Sequence, residues 1–331
     1  MSGQGTSTAV VIGGSAGVGR AVVDRLVGRG YRVGVLARGE DRLRQMEDEL
    51  GREWVRGVPC DAADAEAVER AADEVVAAFG APTVWVNCAM LTIYSPFREM
   101  SPAEFEQVMG ATFFGQVNGV RAALRVMPEG RVVCIGSALS YRSIPLQSAY
   151  CAAKHAINGF VEAVRSELMH DDVPVTLSLV QLPAINTPQF DWAANRMPDH
   201  PQPAPPIYQP EVAARAVLKA IDGGNREIMV GAPSAEMILG DFLAPGLLDR
   251  ILSRKGYEAQ AAKDGEAHPV RGPNLFGPAD YPSTAHGSFG DRATSRGIAI
   301  DGDLARFVAA AAPVLLAGAA GAVGMALARR R

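Results

Sequence analysis

Residues 8–19 read TAVVIGGSAGVG, a run of mainly β-branched residues followed by a turn rich in glycine. The next nine residues, RAVVDRLVG, have the apolar spacing of a helix. Glycines at such a strand-to-helix turn let the backbone bend sharply, and they let a phosphate approach bare N–H groups at the positive end of the helix dipole. The turn is therefore predicted to bind the pyrophosphate of a dinucleotide through Gly13, Ser15, Gly17, Val18 and Gly19.

The alternation of apolar strand and amphipathic helix continues to about residue 182. The strand-like runs are rich in Val, Ile and Leu without regular polar alternation, as expected for strands covered on both faces. They comprise residues 9–12, 32–36, 83–87, 131–135 and 175–180. Strand–helix–strand repetition predicts an α/β fold with a doubly wound parallel sheet (Rossmann-like). We expect one domain of this fold over residues 8–255, followed by a C-terminal extension.

The composition of the 331 residues excludes several classes of protein. Apolar residues make up 48%, charged residues 21%, and the net charge is −4, so neither a disordered chain nor a dedicated nucleic-acid binder is expected. Four cysteines without CxxC spacing argue against a disulfide scaffold, and the histidines lack the spacing of metal ligands, so no metal is expected. The short polar N-terminus does not resemble a signal peptide, and a cytoplasmic protein is expected.

The end of the second predicted strand bears on the choice of cofactor. A carboxylate there would bind the ribose 2′-hydroxyl of NAD and repel the 2′-phosphate of NADP. This chain has Ala37 at that place and then Arg38, whose guanidinium suits a phosphate. The sequence therefore favours NADP(H) over NAD(H), with a solvated surface arginine as the alternative interpretation of Arg38.

The most specific catalytic pattern is the pair Tyr150 and Lys154, four residues apart in an alanine-rich helical run. This spacing puts both side chains on one helix face, where an ammonium would lower the pKa of the phenol toward neutrality. Lys154 is the only lysine among the first 218 residues, which indicates a specific need for this amine. Ser137 follows an apolar strand and is predicted to bind a substrate carbonyl oxygen, with Ser140 and Ser143 as alternatives.

Taken together, these motifs resemble those of the classical short-chain dehydrogenase/reductase family over residues 8–232. The TGxxxGxG motif of the family is present with Ile12 in place of threonine, and its NNAG motif appears as residues 87–90 with Cys88 and Met90 departing. The YxxxK pair matches Tyr150 and Lys154, and the catalytic serine matches Ser137. The resemblance implies further cofactor contacts by three residues: Asp61, Asn87 and Thr187. Tyr150 and Lys154 are likewise expected to contact the cofactor.

One departure concerns the asparagine with which the family completes a water-mediated proton relay. Thr112 aligns with it here, and its shorter side chain puts the efficiency of the relay in question. The resemblance implies an NADP(H)-dependent oxidoreductase that acts on a carbonyl or alcohol substrate, with Tyr150 as general acid and base. A catalytically weak NADP(H)-binding sensor or scaffold is the alternative, and an epimerase or dehydratase is disfavoured by the glycine spacing.

The C-terminal part of the sequence differs in composition from the rest. Residues 256–303 are rich in Gly and Pro and are expected to form a poorly ordered linker. Residues 304–331 are expected to form an apolar helix with a C-terminal arginine cluster, and 307–328 contain no charge over 22 residues. Association of 307–328 with a membrane is slightly favoured over docking on another protein surface. The chain is also expected to form a homo-oligomer. Its substrate is expected to be a small molecule, and the apolar content of the sequence weakly indicates a hydrophobic one.

Overall fold

A computed structural model describes residues 7–231, 237, 241, 243–262, 272–308 and 311. An eight-stranded sheet forms its centre, with the strand order β12-β10-β7-β6-β4-β1-β2-β3. The strands are β1 (Thr8–Ile12), β2 (Arg32–Ala37), β3 (Val55–Pro59), β4 (Pro82–Asn87), β5 (Ile93–Tyr94), β6 (Gly130–Ser137), β7 (Val175–Leu182), β8 (Ala194–Asn195), β9 (Ile207–Tyr208), β10 (Glu227–Val230), β11 (Ala293–Thr294) and β12 (Ala299–Asp301). All neighbours in the large sheet are parallel except β12, which pairs antiparallel with β10. The predicted doubly wound parallel sheet is confirmed.

Helices cover both faces of the sheet and account for the apolar strands. They are α1 (Gly17–Val27), α2 (Glu40–Leu50), α3 (Ala65–Phe79), α4 (Pro102–Met109), α5 (Gly115–Val126), α6 (Ser148–His170), α7 (Gln189–Trp192), α8 (Pro210–Gly223) and α9 (Pro245–Lys255). Strand β1 illustrates the two cores: Ala9 and Val11 join the cluster that contains residues of α1 and α8, whereas Val10 and Ile12 join the cluster beneath α3, α5 and α6. Because both faces of the strand are buried, its sequence has no polar alternation.

The strand order reverses between β1 and β4, and this reversal positions the functional cleft. Connections from β1 run outward to β2 and β3, whereas those from β4 run toward β6 and β7. The loops that follow β1 and β4 therefore leave the sheet in opposite directions and open a crevice at the carboxyl ends of the strands. The glycine-rich turn follows β1, and Ser137 is the last residue of β6.

The expectation of a poorly ordered linker over residues 256–303 does not hold for residues 272–303. Strand β12 adds to the edge of the sheet, β11 pairs with β9, and residues 272–289, here called the strap, cross the carboxyl edge of the sheet. Leu275 and Phe289 of the strap are each only 2% exposed. The prediction of a poorly ordered segment rested on Gly and Pro content alone, and it missed the scattered apolar residues that are buried against the rest of the fold.

Residues 302–308 are helical, and most of the predicted apolar helix, residues 309–310 and 312–331, lies outside the described residues. No helix of the part that is described has both the length and the apolar character needed to cross a bilayer. Membrane association through 307–328 therefore stays a prediction.

Candidate active site

The glycine-rich turn lines one side of the cleft and has the close backbone packing that its sequence predicts. Gly13 has φ +75°, and a Cβ there would lie 2.6 Å from the backbone nitrogen of Ala89. A Cβ on Gly19 would lie 2.2 Å from the carbonyl oxygen of Gly13. Helix α1 begins at Gly17 with no acidic residue in its first turn. This glycine-rich, positively polarised turn fits a pyrophosphate, and the predicted Ser15 and Val18 also line the cleft.

Ser137, Tyr150 and Lys154 meet in the same cleft from two elements. Ser137 ends β6, and its hydroxyl also accepts a hydrogen bond from the backbone N–H of Leu139 at 3.1 Å, which fixes the side chain. Tyr150 and Lys154 lie one turn apart in α6, with Lys154 Nζ 5.5 Å from the centroid of the Tyr150 ring. The sequence-based expectation that these three side chains converge agrees with their positions in the cleft.

Burial shifts the pKa values of Tyr150 and Lys154. It raises the pKa of the Tyr150 phenol, although a hydrogen bond with Ser137 opposes the shift. It also lowers the pKa of Lys154 to about 8. The expectation of a lowered Tyr150 pKa thus differs from the structure, because removal of the phenolate from water outweighs the favourable interactions around it.

The hydrogen bonds of Thr112 go to the backbone of Leu91. Thr112 lies in a π-helical turn, Gly110–Phe114, and its hydroxyl donates to the carbonyl of Leu91 and accepts from the N–H of Leu91, both at 2.9 Å. The side chain is fully buried. This hydroxyl uses its proton and one lone pair on the backbone of Leu91, and a catalytic role of Thr112 stays a prediction.

Besides Tyr150 and Lys154, four cofactor contacts are predicted outside the glycine turn, and the structure places these four residues differently. Arg38, Asp61 and Thr187 line the cleft, with Thr187 against Gly17. Asn87 instead accepts a hydrogen bond from Trp85 Nε1 at 3.1 Å and is 1% exposed. Its side chain is held within the core at the end of β4, and its contact with the cofactor stays a prediction.

Arg42 is a cleft residue that the sequence analysis missed. It lies on α2, one turn after Arg38, and its guanidinium stacks on the Trp192 ring at 5.3 Å. Burial lowers the pKa values of both arginines, and the charge of Arg38 lowers that of Arg42 further. Two adjacent, partly desolvated guanidinium groups form a site for an anion. In the sequence, the four-residue spacing of Arg38 and Arg42 could have indicated that the two side chains lie close together.

The strap covers the arginine side of the cleft. Arg38 donates to the carbonyl oxygen of Asn274 at 2.6 Å, and Arg42 to that of Ala279 at 2.6 Å. The N–H of Gly17 donates to the carbonyl of Thr284 at 2.9 Å. The segment predicted as a linker is therefore part of the wall of the site.

Comparisons with known proteins agree with this architecture. A family model described as short chain dehydrogenase matches residues 7–196. The uncharacterized oxidoreductase YbbO of Escherichia coli K12 is 31% identical over 263 residues, which are 73% of this chain and 93% of that protein. The uncharacterized oxidoreductase YxnA of Bacillus subtilis is 29% identical over 267 residues, 77% of this chain and 73% of that protein. A crystal structure of a short chain dehydrogenase from Burkholderia cenocepacia in complex with NADP is 26% identical, with a TM-score of 0.62, and covers 74% of this chain and 97% of that one.

Proposed function

Because the chain belongs to the short-chain dehydrogenase family, we propose that it is an NADP(H)-dependent oxidoreductase that transfers a hydride between nicotinamide and a carbonyl or alcohol substrate. The observation that carries the proposal is the convergence of Ser137, Tyr150 and Lys154 beside the glycine-rich turn in one cleft. Such a reaction needs a binding site for the cofactor and a group that transfers a proton. The glycine-rich turn fits the pyrophosphate of the cofactor, and the Tyr150 phenol lies next to the ammonium group of Lys154.

The roles of the residues follow from their protonation and contacts. NADPH, when bound, supplies the hydride to the carbonyl carbon. The Ser137 hydroxyl orients the carbonyl oxygen, and Tyr150, whose raised pKa keeps it protonated, donates its proton to that oxygen. The ammonium of Lys154 stabilises the phenolate that forms. In the oxidative direction Tyr150 takes the proton of the alcohol.

Tyr150→Phe tests the reaction directly. Purified wild-type and variant chains are assayed with NADPH and a panel of steroid, retinoid, fatty-acyl and quinone carbonyls, while NADPH binding is measured by nicotinamide fluorescence. We expect the variant to bind NADPH as the wild type does and to lose at least about 10²-fold in turnover. If both chains bind NADPH and neither turns over any carbonyl, the sensor or scaffold function replaces the enzymatic one.

The preference for NADP over NAD rests on Arg38 and Arg42. Their paired guanidinium groups would bind the 2′-phosphate, which NAD lacks. In Arg38→Asp the ratio of the dissociation constants for NADP and NAD should rise by at least about tenfold, since a charge pair is replaced by repulsion. Arg44→Asp, an exposed arginine of α2 that pairs with Asp41, is the control. An unchanged ratio in Arg38→Asp contradicts the assignment.

A hydrophobic substrate is the class that the cleft favours. Its lining beyond the catalytic residues is mainly apolar and includes Leu91, Tyr94, Ile144, Leu182 and Phe190. An apolar wall binds the hydrocarbon part of a ketone or aldehyde and leaves the carbonyl for Ser137 and Tyr150. Cytoplasmic localisation and a homo-oligomeric assembly stay predictions.

A further inference from the structure

The environment of Lys154 contains an amide whose hydrogen bonding is incomplete. Gln116, in the first turn of α5, is 1% exposed, and its Nε2 donates to the carbonyl oxygen of Ile135 at 2.8 Å. Lys154 Nζ donates to the same oxygen at 2.7 Å. Since both nitrogens contact one atom, they lie no more than 5.5 Å apart.

The unused hydrogen-bonding capacities of the two groups are complementary. Gln116 Oε1 is buried and has no hydrogen-bond partner among the described residues. An ammonium group has three donors, and the carbonyl of Ile135 takes one of those of Lys154. A buried acceptor without a partner costs about 1–3 kcal/mol, and a water molecule that accepts from Lys154 and donates to Gln116 Oε1 would remove that cost.

We propose that Gln116 is the positioning residue of Lys154: its Oε1 accepts, through one water molecule, a hydrogen bond from the ammonium group. The catalytic consequence of this inference rests on the proposed function, whereas the inference itself concerns only the proton on Lys154 Nζ. The acceptor stabilises the charged amine against the cost of burial, so that Lys154 keeps its proton while Tyr150 reacts.

The scarcity of lysine makes a direct measurement feasible. The chain has only four lysines, Lys154, Lys219, Lys255 and Lys263, so the full-length protein labelled with ¹³C at the lysine ε-carbons gives few signals. Lys154→Arg assigns the signal of Lys154. In Gln116→Leu we expect the pKa of Lys154 to fall by about one unit, and in Gln116→Glu to rise by a similar amount, because a carboxylate favours the ammonium more strongly.

Asn118→Leu is the matched control. Asn118 is another buried amide of α5, but it donates to the carbonyl of Ala62 and not to that of Ile135. A purely structural effect of removing an amide from α5 would move the Lys154 signal in both variants. An unchanged Lys154 pKa in Gln116→Leu, or the same shift in Asn118→Leu, overturns the inference. The measurement needs no substrate, so this result is independent of the Tyr150→Phe assay of the proposed function.

A second inference comes from the strap and is independent of Gln116. Its backbone carbonyls accept hydrogen bonds from Arg38 and Arg42, the groups assigned to the 2′-phosphate. A phosphate dianion next to these oxygens would be repelled, and it would need the same donors. The strap is held in place by side chains: Tyr281 donates to Asp191 at 2.9 Å, and Ser283 donates to the carbonyl of Ser15 at 3.0 Å.

We infer that the strap is an autoinhibitory cover that competes with the 2′-phosphate of the proposed cofactor. The double variant Tyr281→Phe/Ser283→Ala removes two anchoring hydroxyls and leaves the arginines intact. We expect the dissociation constant for NADPH to fall severalfold, and by a larger factor than that for NADH, which shares the pyrophosphate but has no 2′-phosphate. Binding is followed by nicotinamide fluorescence, with hydrogen exchange of residues 272–289 as a second measurement.

The control makes the same two chemical changes outside the strap, in Tyr257→Phe/Ser253→Ala. If the strap variant binds both nucleotides as the wild type does, or tightens both equally, the competition is refuted. If no variant binds either nucleotide, it is the proposed function that fails. Faster exchange of 272–289 on addition of NADPH supports the inference, and slower exchange contradicts it.

Discussion

Lys154 places an ammonium group in the interior, with 1% of the side chain exposed. Burial lowers its pKa from 10.5 to about 8, so below pH 8 the folded protein carries the whole cost of the charge. As the pH rises from 8 to 10.5, the unfolded chain retains this proton better than the folded one, and the cost disappears. The residue that the proposed reaction needs most is thus one that weakens the fold at neutral pH.

Lys154→Met tests this trade-off. The substitution keeps the length of the side chain and removes the buried charge, so at pH 7 we expect the free energy of unfolding to rise by about 2–3 kcal/mol while carbonyl reduction is lost. Thermal unfolding at pH 7 and near pH 10 measures the effect, which should shrink at the higher pH. A variant that is equally or less stable at pH 7 contradicts the prediction.

Sequence patterns predicted the positions of the proposed catalytic side chains well where the backbone alone determines those positions. The four-residue spacing of Tyr150 and Lys154 determines their shared helix face, and the end of β6 determines the place of Ser137. Thr112 and Asn87 were placed by alignment to a motif, but the structure gives them hydrogen-bond partners that the motif does not specify. A sequence pattern does not reveal that the backbone of Leu91 or the indole of Trp85 takes those side chains.

At the scale of elements, glycine has opposite effects at two helical positions. Gly19, near the start of α1, packs against the loop of Gly13, whereas Gly159 lies in the middle of α6 and a Cβ there would meet no atom within 4 Å. Gly19→Ala should lower the free energy of unfolding by about 2 kcal/mol or more, because the loop must move, and weaken nucleotide binding. Gly159→Ala should raise it by about 0.5–1 kcal/mol, because alanine favours helix. Denaturant unfolding of both variants checks the pair, and equal effects of one sign refute it.

Strands β1, β2, β4, β6 and β7 were predictable because burial on both faces leaves an unbroken apolar run, whereas the edge strand β3 was missed because its residues are partly exposed and not uniformly apolar. The π-helical turn Gly110–Phe114 was not predictable, since nothing in the local composition indicates the extra residue of a π-helical turn. Short strands such as β11 and β12 have too few residues for any periodicity, and their pairing with β9 and β10 depends on the rest of the fold.

At the scale of the whole molecule, the C-terminal region is joined to the sheet by a buried carboxylate. Glu227 of β10 is 2% exposed and forms an ion pair with Arg306, which also donates to the Tyr141 hydroxyl at 2.9 Å. Gln181 and Tyr141 complete the contacts of Glu227. A sequence-based boundary at residue 255 therefore separates a buried acid from its cation, which composition could not reveal because the two lie 79 residues apart.

Arg306→Leu measures how firmly this region belongs to the domain. Removing the cation leaves a buried carboxylate unpaired, and we expect the free energy of unfolding to fall by about 3 kcal/mol. Adding Glu227→Gln should recover part of that loss, because a neutral amide can keep the hydrogen bond with Tyr141 without an uncompensated charge. Arg29→Leu, which breaks an exposed pair with Asp222, is the control and should cost less than about 1 kcal/mol. If Arg306→Leu costs no more than the control, residues 302–308 are an appendage and the earlier boundary is the better description of the domain.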